Sequence, residues 1–175
     1  MARAITAGLC LAYVAAETLP PLLGPAMSFL TRTASPLPAP TLAKLPSVLS
    51  AGSVAGGLLG GSLFEEAAGV WRSSLVLFAA LLVTALANAL VPGSTTSMRM
   101  FACMGVLGVF NGVFRAGANC VVLRVHHGGA AAPWVQALHL FGGAGRVLAP
   151  LLLGLFVDGS GDIDAGLRRA YLTVS

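Results

Sequence analysis

Asn111, Arg115, Asn119, Gln136, His139 and Arg146 lie in two apolar segments between Gly105 and Pro150, where a lipid-facing helix would carry leucine. An arginine at mid-bilayer costs about 2.5–3.5 kcal/mol on insertion scales, so such residues persist where they face a bundle interior or a water-filled path. Asn111, Arg115 and Asn119 are four apart, and Gln136 and His139 three apart, so each set shares one helix face. Together they offer donors and acceptors suited to the hydroxyls or the carboxylate of a small solute. Glu17 is the only acid well inside an apolar run, and it is a natural partner for one arginine or a coupling carboxylate. No nucleophile–base pair, metal-ligating constellation or phosphate loop is present, so the sequence does not read as an enzyme.

These residues need a membrane to make sense. Of the 175 residues, 57% are hydrophobic and 9% charged, against roughly 25% charged in a soluble domain. The composition predicts an all-α integral membrane protein, multi-pass and surrounded by lipid. The net charge of +4 is scattered rather than gathered on one face, which argues against nucleic acid as a partner. Cys10, Cys103 and Cys120 sit inside apolar runs as small packing residues, without metal-site spacing.

Five spans are predicted, at about 4–30, 47–64, 73–91, 98–123 and 133–157. The first run also resembles a signal peptide at Met1 to Ala16, but its apolar character continues past Glu17, and Pro20, Pro21, Gly24 and Pro25 would kink or break the helix there. Residues 31–46 read as a Pro-rich exposed loop, and 158–169 as a polar loop before a sixth span begins. In the second span, glycines 52, 56 and 60 recur every four residues and give one smooth face for close helix approach. At 1.5 Å rise per residue, Arg115 lies about 12 Å from the end of its helix and His139 about 9 Å from the start of the next, so the two are expected to meet at similar depth. Asn119 and Gln136 would lie closer to that end. Trp71 and Trp134, at span ends, suit interfacial anchors, and His126 and His127 fall in a loop.

The run Gly112-Val113-Phe114-Arg115-Ala116-Gly117-Ala118-Asn119, followed by Trp134-Val135-Gln136-Ala137-Leu138-His139-Leu140-Phe141-Gly142 and by Gly145 to Pro150, resembles the N-terminal half of a major facilitator superfamily transporter. It is similar in particular to the branch holding the sodium-dependent glucose transporters and fucose permease relatives, over roughly residues 5–157. The resemblance implies a half-bundle with a cytoplasmic N-terminus, cut off as its sixth helix starts, whose C-terminal half is missing. Gly61-Ser62-Leu63-Phe64-Glu65, with Gly69 and Arg72, resembles the superfamily's gating loop, with Glu65 where an aspartate is usual and Glu66 where a basic residue is usual. Arg115 stands where that branch carries an acid four residues before the asparagine. A permanent donor with no acceptor replaces a carboxylate.

The implied function is secondary active transport of a small polar solute, a monosaccharide in the first place, by alternating access. Arg115, Asn119, Gln136 and His139 would bind substrate, Glu17 and Arg146 would serve coupling or the pathway, and Na+ or H+ would be the coupling ion. The two arginines motivate an organic anion carrier as the alternative. A non-transporting membrane protein or a truncated gene-model fragment is the third expectation. The membrane expected is the plasma membrane.

Overall fold

Where two helices touch backbone to backbone, the residues at the contact must lack side chains, and glycine placement decides how this bundle assembles. The computed structural model describes residues 2–18, 20–30, 37–66, 69–94, 96–126, 131–158 and 163–174. These form α1 (Ala2–Thr18), a turn of 3-10 helix (Pro20–Leu22), α2 (Leu23–Leu30), α3 (Ala39–Glu66), α4 (Val70–Leu90), a second 3-10 turn (Val91–Gly93), α5 (Ser97–Val125), α6 (Ala131–Asp158) and α7 (Ile163–Val174). The described residues hold helices and turns and no strand. Helices α3 to α6 are long and apolar enough to cross a membrane, and the protein is an integral, multi-pass, all-α membrane protein.

Helices α3 and α5 pack most closely. A Cβ on Gly52 would stand 2.8 Å from the Gly105 carbonyl oxygen, and one on Gly60 would stand 2.9 Å from the Ala116 Cβ. At Gly56 it would strike the Val109 carbonyl, and from the α5 side Gly108 and Gly112 meet the backbone of Leu49 and Ser53. Bare backbone on both faces lets dispersion contacts accumulate in a solvent where apolar side chains gain nothing by leaving lipid. A second close pair is α1 with α6, where Gly142 lies under the Tyr13 ring and Gly145 against the Val14 carbonyl and Thr18. Leu58, Phe78, Leu140 and Leu155 point outward, as lipid contact requires.

Two apolar clusters fill the bundle at different depths. One gathers Leu22, Leu45, Met100, Met104, Leu107 and Leu153, and the other Cys10, Tyr13, Phe64, Phe114, Val121 and Leu138. In sequence, Asn111 and Arg146 fall between members of the two clusters on α5 and α6, and Glu17 falls between Ala16 of one and Leu22 of the other, so these three polar groups lie at the seam. Arg146 lies within about 2 Å of the midpoint of α6, and Arg115 about 6 Å from that of α5, by helical rise.

The elements differ from the sequence expectation in three places. The single helix expected over 4–30 ends at Thr18. Pro20 and Pro21 lack the N–H groups that continuation would need, and a 3-10 turn takes their place before α2. Helix α3 starts at Ala39, inside the stretch expected as a loop over 31–46. Pro40 sits in its first turn, where no N–H partner is needed, and Thr41 N donates to the Pro38 carbonyl at 2.9 Å. The helix continues through Pro46, while 31–36 lie outside the described residues. Residues 163–169, expected as part of a polar loop, belong to α7, which is fastened to α4 by Asn88 Nδ2 donating to the Tyr171 carbonyl at 3.2 Å. Residues 159–162 of that loop lie outside the described residues.

The α3–α5 contact makes a direct prediction. Gly56→Leu forces the two backbones apart, and overpacking of this kind costs about 1–3 kcal/mol or more. The variant should unfold at lower temperature in detergent micelles than Gly57→Leu, whose Cβ meets open space; equal melting temperatures would contradict the packing described.

Candidate functional site

Helix α1 carries the centre of the site. Tyr13 and Glu17 are four residues apart and share one face, which the glycines of α6 admit to close range. Glu17 is buried, with 3% of its side chain exposed, and both its carboxylate oxygens meet cations. Its Oε1 lies 3.1 Å from Arg115 Nε. Its Oε2 accepts from Arg146 Nε at 2.8 Å and lies 2.7 Å from Arg146 Nη2. One carboxylate therefore joins α1 to both α5 and α6. A lone carboxylate at this depth would be very costly, and two guanidinium groups supply the opposite charge and the donors that make burial tolerable.

The arginines are less enclosed than their partner. Arg115 keeps 40% of its side chain exposed and Arg146 51%. Arg115 uses Nε toward Glu17 and sits beside the Tyr13 hydroxyl, while Arg146 places both its contacts on one oxygen. Part of each guanidinium fork stays open. With one negative and two positive groups, the cluster carries a surplus positive charge.

His139 sets its imidazole edge-on to the Tyr13 ring, with centroids 6.1 Å apart and planes at 89°. Tyr13 also contacts the Phe114 ring at 5.8 Å. Arg115 and His139 thus converge on Tyr13, from α5 and α6. Asn119 Nδ2 donates to the Arg115 carbonyl at 3.0 Å, a bond within its own helix that leaves its Oδ1 without a hydrogen-bond partner among the described residues. Asn111 is buried, and its Oδ1 likewise has none. Gln136 is exposed on α6, about a turn from His139. The residues named from sequence divide accordingly: Glu17, Arg115 and Arg146 touch, His139 joins them through Tyr13, and Asn119 and Gln136 stand on the flanks.

Glu65 and Arg72 of the expected gating loop are both exposed and make no ion pair among the described residues. Arg124, at the end of α5, makes the link in that region. It donates to the Phe64 carbonyl of α3 and, at 3.2 Å, to Ser73 Oγ of α4. Gly69 opens α4 at φ 102°, a left-handed conformation that explains a glycine there.

Tyr13 escaped the sequence reading. The available signal was its spacing from Glu17, four residues along an otherwise apolar helix. His126, read as a loop residue, stacks on Trp134 at 4.7 Å and its Nε2 lies 2.7 Å from Thr6 Oγ1, which joins the end of α5 to α6 and α1. His127 lies outside the described residues.

Glu17→Gln removes the only negative charge of the cluster and leaves two cations near mid-membrane. Breaking a buried ion pair from one side costs about 3–5 kcal/mol. Unfolding of the purified protein in bicelles should register a loss of that order; stability equal to the parent would mean that the arginines do not depend on Glu17.

Comparison with known proteins finds sequence similarity to transporters. The chain is 35% identical over 104 residues to sodium-dependent glucose transporter 1A of Mus musculus, covering 59% of this chain and 23% of that protein. It is 32% identical over 109 residues to sodium-dependent glucose transporter 1 of Xenopus laevis, covering 62% and 21%, and 33% identical over 104 residues to that of Homo sapiens, covering 59% and 19%. The chain thus spans about a fifth of the length of the curated relatives it matches. No family model matches it, and no solved structure does. The relationship of this integral membrane protein is to transporters and not to enzymes.

Proposed function

We propose that the chain is the N-terminal half-bundle of a major facilitator type secondary transporter, and that it moves a small polar solute of the monosaccharide class by alternating access. The observation that carries this reading is the Glu17–Arg115–Arg146 cluster, held near mid-membrane with its arginines partly open. Secondary transporters place their substrate near the bilayer midplane between two repeats, so a second set of helices completes the site in this reading. The similarity to sodium-dependent glucose transporters favours a sugar. Arg115 and Arg146 bind it with Asn119, Gln136 and His139, around the buried Tyr13.

Glu17 is an organiser in this scheme. Its Oε2 is held by Arg146, and its Oε1 faces Arg115 Nε at 3.1 Å without a hydrogen-bond partner among the described residues, so a coupling Na+ or proton at this carboxylate would compete with two guanidinium charges. Glu17 holds the arginines in place and ties α1 to α5 and α6. The break at Pro20–Leu22 lies just beyond it, where a hinge would let α2 move while α1 stays fixed to α6.

Proteoliposomes containing the full-length protein should show saturable uptake of labelled hexose. Arg115→Gln should lower that uptake at least tenfold, the effect of losing a charge-assisted hydrogen bond of about 1.5–3 kcal/mol. Absence of saturable hexose uptake by the parent protein would contradict the sugar reading.

A further inference from the structure

The charge of the cluster does not close. Among the described residues, Arg115 and Arg146 pair with Glu17 and with no other carboxylate, and Glu17 offers one negative charge to two cations. A guanidinium is charged at every accessible pH, so the imbalance cannot be relieved by losing a proton. Its cost in a low-dielectric setting is relieved only by an anion or by water on the exposed side of the two arginines.

The geometry favours an anion of particular form. Both guanidinium groups reach the same carboxylate, which holds their heads close together. Arg115 turns Nε toward Glu17 Oε1 at 3.1 Å, and Arg146 places Nε and Nη2 on the other oxygen. Donors remain on each fork, in the planar arrangement that matches a second carboxylate. A monoanion brings the cluster to neutrality, whereas a phosphate dianion would leave it negative. Beside this charged point stand an imidazole and a side-chain amide. His139 lies two turns along α6 from Arg146, about 10 Å by helical rise, and Asn119 lies one turn from Arg115. These donors and acceptors suit hydroxyl groups.

Building on the transporter reading above, we propose that the site takes a solute with one carboxylate on a hydroxylated body, a sugar acid, whose carboxylate bridges Arg115 and Arg146 on the side away from Glu17. The neutral sugar is then the poorer ligand. Glu17 orders the pair of forks, and the solute completes their charge.

Glucose and glucuronate test this directly, since they share a ring and differ at one carbon. Binding to the purified full-length protein is measured by calorimetry, and uptake of each labelled solute is measured in proteoliposomes. Glucuronate is expected to bind at least tenfold more tightly than glucose. That preference should fall at least tenfold in Arg146→Gln, which leaves Glu17 paired with Arg115, and should persist in Arg168→Gln on α7. Binding and uptake of glucose without preference for glucuronate would overturn the inference and leave the transporter reading standing. Binding of glucuronate that depends on Arg146, without uptake of either solute, would support the inference and remove the transporter reading. A glucuronate preference that survives both Arg146→Gln and Arg115→Gln would overturn the assignment to these arginines, and binding of neither solute would overturn both readings.

Discussion

The charged site of this bundle is arranged around the need to keep one carboxylate buried among its helices. Glu17 cannot sit among apolar side chains alone, and it cannot reach water while it is nearly fully buried. Two arginines from two other helices meet it, and each is itself too costly to leave in lipid without a partner. The three residues therefore constrain three helices at once. Their relative depth is set by side chains that reach only a few ångströms, so α1, α5 and α6 cannot slide independently.

That constraint operates only because the helices come close enough. Gly142 and Gly145 let α1 settle on α6, which puts Glu17 within reach of Arg146. The glycines of α3 and α5 hold the other side of the bundle along its length, with polar links near its ends from Arg124 to the Phe64 carbonyl and between Thr41 and Ser97. Close packing by small residues and one buried charge cluster thus divide the work. The first supplies dispersion energy along whole helix faces, and the second fixes register at a single level.

Much of this was legible in the amino-acid sequence, because lipid restricts what a helix may carry. The four-residue spacing of Gly52, Gly56 and Gly60 marked a smooth face, and the cations at 115 and 146 stood out against apolar surroundings. Which groups would touch was harder to read. Depth across separate helices depends on where each begins, and α3 and α6 begin earlier than their apolar runs suggest. Arg115 was accordingly matched with His139 by counting turns, whereas its charged partner is Glu17, on a helix far away in sequence. Tyr13 gave almost no signal, since a single tyrosine in an apolar run is ordinary until a glycine from another helix is seen beneath it. The exposed Glu65 and Arg72, and the role of Arg124 in joining α3 to α4, depend on backbone carbonyl positions that no residue pattern encodes.

The functional reading follows from an asymmetry: the acid is enclosed and its two bases are open. An ion cluster serving only to hold helices together would gain by burying all its members and balancing their charge, and this one does neither. The most direct measurement of the central claim is a double-mutant cycle on Glu17 and Arg146, using unfolding in bicelles of the parent, Glu17→Gln, Arg146→Gln and the double variant. A coupling energy above about 1 kcal/mol, with the double variant more stable than Glu17→Gln alone, is the result predicted for residues in one charge network. Effects that simply add, within about 0.5 kcal/mol, would contradict it.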